Sequence, residues 1–163
     1  MANGEGSELG RKLQKLEDIE EIKKLKARYC AACDGGWAGT QSHDIDAIVS
    51  LFAEDAVWDG GPFGQREGRA ALRAYYEGNS AANPSLAFHL LTNPIIEVDG
   101  DAATGNWHLT ILLTLADGAS TLVGGVFEDV YARTPDGWRI KRSRFQLALS
   151  GTYEHAWSVG PAG

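Results

Sequence analysis

Apolar residues recur at Leu9, Leu13, Leu16, Ile19, Ile22, Leu25 and Tyr29, in steps of three and four. That spacing lines one face of a helix, with Lys and Glu on the other. It predicts a long helix from Ser7 to Gly35-Gly36, a glycine pair that ends it as a C-cap does. Residues 1–6 read as a frayed tail. A helix of this length outreaches the body it packs on, so its first turns are expected to lie over a partner subunit. After a small-residue loop carrying Trp37, Ser42 is placed to cap a second helix whose apolar face is Ile45, Ile48, Val49, Leu51 and Phe52. Glu54-Asp55 then turns the chain into a short strand, Ala56-Val57-Trp58. The glycine-rich tip Asp59-Gly60-Gly61-Pro62-Phe63-Gly64 follows. A third helix spans Gly68 to Gly78, with Leu72, Tyr75 and Tyr76 on one side.

From Leu86 to Leu149 the pattern changes to strands with few breaks. Three Asp-Gly pairs, Asp99-Gly100, Asp117-Gly118 and Asp136-Gly137, punctuate it at intervals of 18 and 19 residues. Asp-Gly between apolar runs marks a tight hairpin, because such turns need positive φ. The intervals predict a four-stranded antiparallel meander over 87–98, 102–115, 120–133 and 138–149. No internal repeat accompanies the spacing, which argues against a solenoid. Helices first and an antiparallel sheet afterwards define an α+β protein. A sheet this long must curl, and Gly124-Gly125 inside the third long strand is where a bulge or bend fits. The same pair leaves room for a ligand. The chain is read as one domain over 7–150, with 151–163 as a C-terminal tail.

At 163 residues the chain is long enough for one sizeable core. The formal net charge of −7 argues against a nucleic-acid or anionic-membrane partner. The basic run Arg139-Ile140-Lys141-Arg142-Ser143-Arg144 alternates as a strand does and reads as a solvated face. No apolar run approaches the ~20 residues that span a membrane. Met1-Ala2-Asn3-Gly4-Glu5-Gly6 has neither a basic nor an apolar leader segment, so a cytoplasmic location is expected. The two cysteines, Cys30 and Cys33, form a C-x-x-C pair near a helix C-terminus. There the dipole raises a thiol pKa rather than lowering it, so packing is favoured over redox chemistry. The four histidines, His43, His89, His108 and His155, show no ligand spacing for zinc, and no metal or cofactor is expected.

Asp34 places a carboxylate at the negative end of the first helix, which the dipole disfavours. It is either a solvated accident or a residue with a role. Tyr29 lies five residues earlier, and His89 stands alone in the apolar run Ala87-Phe88-His89-Leu90-Leu91.

The chain resembles the SnoaL-like members of the NTF2-like superfamily over roughly residues 15–150. The resemblance is carried by Ile19–Tyr29, Leu51-Phe52-Ala53-Glu54-Asp55-Ala56-Val57-Trp58, Glu67-Gly68-Arg69, Asp136-Gly137-Trp138-Arg139-Ile140 and the meander. It implies a cone-shaped α+β barrel, with helices packed on a curled antiparallel or mixed sheet. A sharper likeness is to the dehydratases acting on scytalone and on bile-acid intermediates, and to a related dehydrochlorinase. Those enzymes carry a Tyr and an Asp at the end of the first helix and a His on the first long strand. The likeness implies that His89 moves a proton beside a carbonyl or leaving group. Asp34 would orient the imidazole, and Tyr29 would hydrogen-bond the substrate oxygen.

The pattern departs at two positions. Ile111 stands where the bile-acid enzyme has a further Asp, and Leu147 where it has an Arg, with Arg144 nearby. Asp59 lies one residue from the general-base position of ketosteroid isomerases and is kept as an outside candidate base. Trp58, Phe63, Trp107, Ile111 and Arg144 are the expected pocket-lining residues. Alternation turns His108 outward, and His43 and His155 read as surface residues. These residues point to a cofactor-independent lyase or isomerase acting on a hydrophobic, cyclic, oxygenated small molecule. The alternative is a non-catalytic binding module, or a small structural subunit of a ring-hydroxylating oxygenase. The uncovered sheet face predicts a homodimer.

Overall fold

The computed structural model describes residues 2–35, 43–79, 86–115 and 117–154. Helix α1 runs Ala2–Cys33, starting before the expected Ser7. Its apolar stripe splits in two. Ile22, Leu25 and Tyr29 are buried, whereas Leu9, Leu13 and Leu16 are exposed. The helix ends where expected, with Gly35 at φ +68.

Helix α2 is shorter than its periodicity predicts, Ile45–Ser50, and its N-cap is Asp44, whose Oδ1 accepts the Ala47 N–H at 3.0 Å. Ser42 lies outside the described residues. Leu51 and Phe52 leave the helix because the sheet claims them. The Ile140 N–H donates to the Leu51 carbonyl, and Arg69 donates to the Phe52 carbonyl from Nε and Nη2 at 2.8 and 2.6 Å. Strand β1 is therefore Phe52–Asp59, longer than the expected 56–58. A single 3-10 turn, Gly61–Phe63, leads to a short strand β2, Gln65–Glu67, that the pattern did not announce. Helix α3 is Gly68–Asn79.

The meander follows as β3 (Leu86–Asp99), β4 (Ala102–Thr114), β5 (Ser120–Thr134) and β6 (Gly137–Tyr153). Strand β6 passes the expected end at 149. Gly100, Gly118 and Gly137 of the three Asp-Gly pairs all have positive φ, as the hairpins required. The six strands form one mixed sheet in the order β2-β1-β6-β5-β4-β3, with β1 parallel to β6 and every other pair antiparallel. The sheet curls without closing, so β2 and β3 are edges.

The register of β5 on β6 shifts between Gly124 and Gly125, the site expected for a bulge, and Ala148 is the extra residue. The glycine pair leaves no ligand space. A Cβ on Gly125 would fall 2.3 Å from the Gln146 carbonyl oxygen and 2.5 Å from the Phe145 ring, so the room is taken by Phe145. A second bulge at Asn93-Pro94 interrupts β3, an edge strand where a proline costs no ladder bond.

Two buried polar clusters tie α1 to the sheet. Asp18 accepts from Arg133, Trp138 Nε1 and Gln14. Lys26, expected on the solvated face, is 1% exposed. Its ammonium lies 2.8 Å from Asp129 and over the Phe127 and Tyr29 rings, at 4.1 and 4.9 Å. Asp129 also accepts from the Tyr131 hydroxyl, which accepts in turn from the Trp107 indole N–H.

Candidate active site

The C-terminal turn of α1 lies beside edge strand β3, and this brings Asp34 to His89. An edge strand leaves every second backbone N–H without a ladder partner. The His89 N–H points out of the edge and donates to Asp34 Oδ2 at 2.9 Å. The other carboxylate oxygen, Oδ1, accepts from His89 Nδ1. One carboxylate thus holds one residue at two points, with the Asp34 side chain buried and that of His89 half-buried, at 6% and 14% exposure. A carboxylate accepts only, so Nδ1 carries the proton and Nε2 holds the lone pair of the neutral ring. The placement that the helix dipole disfavours is stabilised by two charge-assisted hydrogen bonds, each contributing about 1.5–3 kcal/mol.

His89 lines a cavity of about 340 Å³ enclosed by α1, α3 and the concave side of the sheet. Its wall is largely aromatic: Tyr29, Trp58, Phe63, Tyr75, Tyr76, Phe127 and Phe145, completed by Leu109, Ile111 and Leu113. The Tyr29 and Tyr76 hydroxyls lie 3.1 Å apart. Burial first, and the neighbouring Cys33 second, push both phenols well above their ordinary value, so both remain O–H donors. In such a pair one hydroxyl donates to the other, and the remaining proton can turn to the neighbouring Cys33 sulfur or to a ligand oxygen. Cys30 and Cys33 are free and buried. Burial raises the Cys30 thiol to about 12 and moves Cys33 in the same direction, which leaves neither a nucleophile at neutral pH.

Of the residues singled out in the sequence, Tyr29, His89, Trp58, Phe63 and Ile111 stand on the cavity wall, with Asp34 behind His89. Ile111 is the cross-strand partner of His89. Three others stand elsewhere. Trp107 faces inward but is buried below the cavity, with its indole bonded to Tyr131. Arg144 points outward, because Ser143 and Phe145 take the inward positions on either side of it. There it lies between Asp59, at 3.7 Å, and Glu128, at 3.4 Å, its neighbours on the adjoining strands. Asp59 also accepts the Gly61 N–H, so it caps a turn and does not face the cavity. His108 faces outward as alternation required and meets Asn93. His155 lies outside the described residues.

His43, read as a surface residue, is half-buried and lines the cavity. Its Nδ1 is 2.8 Å from the Cys33 carbonyl and its ring packs edge-on against Tyr76. Beside it the Asp44 N–H donates to the Ala32 carbonyl, a second backbone tie to the end of α1. No periodicity in the sequence encodes that contact. Among the described residues no three His, Cys, Asp or Glu side chains cluster to hold a metal ion.

A family model described as a SnoaL-like domain matches residues 14–144. The chain belongs to that family and has the NTF2-like fold. A solved structure of a protein designated an aromatic ring hydroxylase, from Novosphingobium aromaticivorans, is 27% identical. It superposes with a TM-score of 0.75 over 85% of this chain and 94% of that one. A hexachlorocyclohexane dehydrochlorinase from Novosphingobium barchaimii shares the fold at 19% identity, with a TM-score of 0.75 over 90% and 97%. A protein designated a scytalone dehydratase from Novosphingobium aromaticivorans does so at 19% identity, with a TM-score of 0.74 over 91% and 95%.

Proposed function

We propose that the protein is a cofactor-independent lyase or isomerase that moves a proton on an uncharged, ring-containing, oxygenated small molecule. The observation that carries this reading is the two-point clamp of His89 by Asp34 at the wall of an aromatic cavity. The clamp sets Nε2 as the basic nitrogen, and the carboxylate stabilises the imidazolium formed when Nε2 takes a proton. The Tyr29–Tyr76 hydroxyl pair is the donor for a carbonyl oxygen on which negative charge develops. Among the described lining residues none is Lys, Arg, Asp or Glu, so any charge the wall offers a substrate comes from the imidazoles of His43 and His89. Its volume lies at the small end of the roughly 300–1,000 Å³ range of small-molecule pockets, which favours one or two rings over a long chain. The dehydratase and dehydrochlorinase among the structural neighbours support elimination as the reaction type.

The test is a panel of cyclic β-hydroxyketones, followed by absorbance of the conjugated enone. Wild type is expected to dehydrate members of the panel, and His89→Gln is expected to lose about 10²–10⁴-fold in kcat. Turnover by His89→Gln at the wild-type rate refutes the mechanism. If instead ligands bind without turnover, the protein is a binding module of the same fold. A homodimer through the outer sheet face is part of the proposal. It is supported by the exposed apolar Leu90, Ile95 and Val130 on the positions alternate to the core, and sedimentation velocity checks it.

A further inference from the structure

The cavity holds a second imidazole whose chemistry differs from that of His89. His43 Nδ1 lies against a backbone carbonyl, which only accepts, so Nδ1 carries a proton and Nε2 is the exchangeable position. Both histidines are therefore locked with Nδ1 as donor, but the groups behind them differ. Asp34 sets a full negative charge behind His89, whereas Cys33 sets one carbonyl at the C-terminal end of α1 behind His43. The last carbonyls of a helix carry partial negative charge. His43 Nε2 has no hydrogen-bond partner among the described residues. The ring also borders a second space: an outer groove of about 880 Å³ between α1, α2 and the β5–β6 turn, lined among others by Arg28, Asp44 and Asp136. His43 thus stands in the wall between an apolar cavity and a groove lined by charged side chains. Its ring packs on Tyr76, whose hydroxyl meets that of Tyr29.

We infer that His43 is the general acid of this site, the group that protonates a departing oxygen while His89 removes the proton from carbon. The inference rests on the reading of His89 as the base. In the step, His89 Nε2 takes the proton next to the carbonyl and the C–H electron pair becomes the new carbon–carbon π-bond. The adjacent C–O bond breaks with its pair on oxygen, and that oxygen takes the Nε2 proton of His43 imidazolium and leaves as water. The products are the unsaturated ketone, water, protonated His89 and neutral His43. Solvent then accepts one proton from His89 and returns one to His43 through the groove, so nothing is consumed.

Leaving groups that differ in their need for a proton test this. The probes are 3-hydroxycyclohexanone, whose oxygen must be protonated to leave, and its 4-nitrophenyl ether, which departs as a stable anion. His43→Asn keeps an amide donor toward the Cys33 carbonyl and removes Nε2. His43→Gln instead carries an amide near the Nε2 position, and either variant serves if the other fails to fold. The expected result is a loss of about 10²–10⁴-fold in kcat on the alcohol and little loss on the ether. His89→Gln is expected to lose both. An equal loss on both substrates makes His43 merely structural and overturns the inference, as does no loss on either. Should His89→Gln keep full activity, or wild type act on neither ketone, the reading of the base falls, and that of the acid with it.

Discussion

Asp34→Asn probes the clamp directly. The carboxylate accepts two hydrogen bonds from one residue, the His89 backbone N–H at 2.9 Å and the ring Nδ1–H. Asparagine has one carbonyl oxygen. If that oxygen keeps the backbone bond, the amide N–H faces the ring nitrogen, and two donors meet. The ring escapes the clash by moving its proton to Nε2, where no lone pair then remains for catalysis. In stability, both charge-assisted bonds become neutral ones, a loss of roughly 2–3 kcal/mol in all. The cheaper burial of an amide than of a carboxylate offsets part of it. At about 2–4 °C per kcal/mol for a domain of this size, Tm should fall by about 2–6 °C. The catalytic loss is far larger, about 10³–10⁴-fold in kcat, the scale seen when a His–Asp pair is forced into the wrong tautomer. The assays are thermal unfolding, turnover of a β-hydroxyketone, and nitrogen NMR of the imidazole, which reports which nitrogen is protonated. If the proton moves to Nε2 and kcat stays within about tenfold of wild type, His89 Nε2 is not the base.

Two further predictions concern the polar clusters that hold α1 on the sheet. Burial pushes the Asp18 carboxyl up, but hydrogen bonds from Arg133, Trp138 and Gln14 outweigh it and hold the group below its ordinary 3.8. Because the folded value lies below the unfolded one, this stabilisation is complete above the unfolded value and is lost as pH falls through the folded one. The stability gap between wild type and Asp18→Asn, measured by denaturant unfolding, should therefore be widest near neutrality and close in acid. A gap constant with pH would count against the assignment. Lys26→Met strands Asp129 as a buried, unpaired charge and should cost about 3–5 kcal/mol. Adding Asp129→Leu removes that charge and should restore much of the loss; a double variant no more stable than the single one would show that the pair is not coupled.

The elements were legible because their determinants are local. Steps of three and four along α1, and Asp-Gly pairs whose glycines take positive φ, act within a few residues of chain. They placed α3 and the strands β3 to β5 nearly to their ends, while α1 starts earlier and β6 runs further than expected. The failures share one origin. Phe52 satisfies the helical period of α2 but is drawn into β1 by Ile140 and Arg69, residues remote in sequence. Lys26 reads as solvated until Asp129 and two aromatic rings meet it inside the core. Asp59 and Arg144 were weighed for the cavity, yet strand parity turns Arg144 outward and both residues pair on that side.

The sequence by itself determined α1, α3 and the four meander strands, the three tight turns, the bulge at Gly124-Gly125 and the candidates Tyr29, Asp34 and His89, because each follows from period, turn chemistry or resemblance. Only the tertiary structure decided that the unused N–H of an edge strand would fix Asp34 on His89. It alone brought Tyr76 to Tyr29, and His43 to the cavity wall beside the Cys33 carbonyl. The physical reason is that a site is made by the side chains that converge in space, and convergence depends on register, curl and chain return, which no stretch of sequence carries alone.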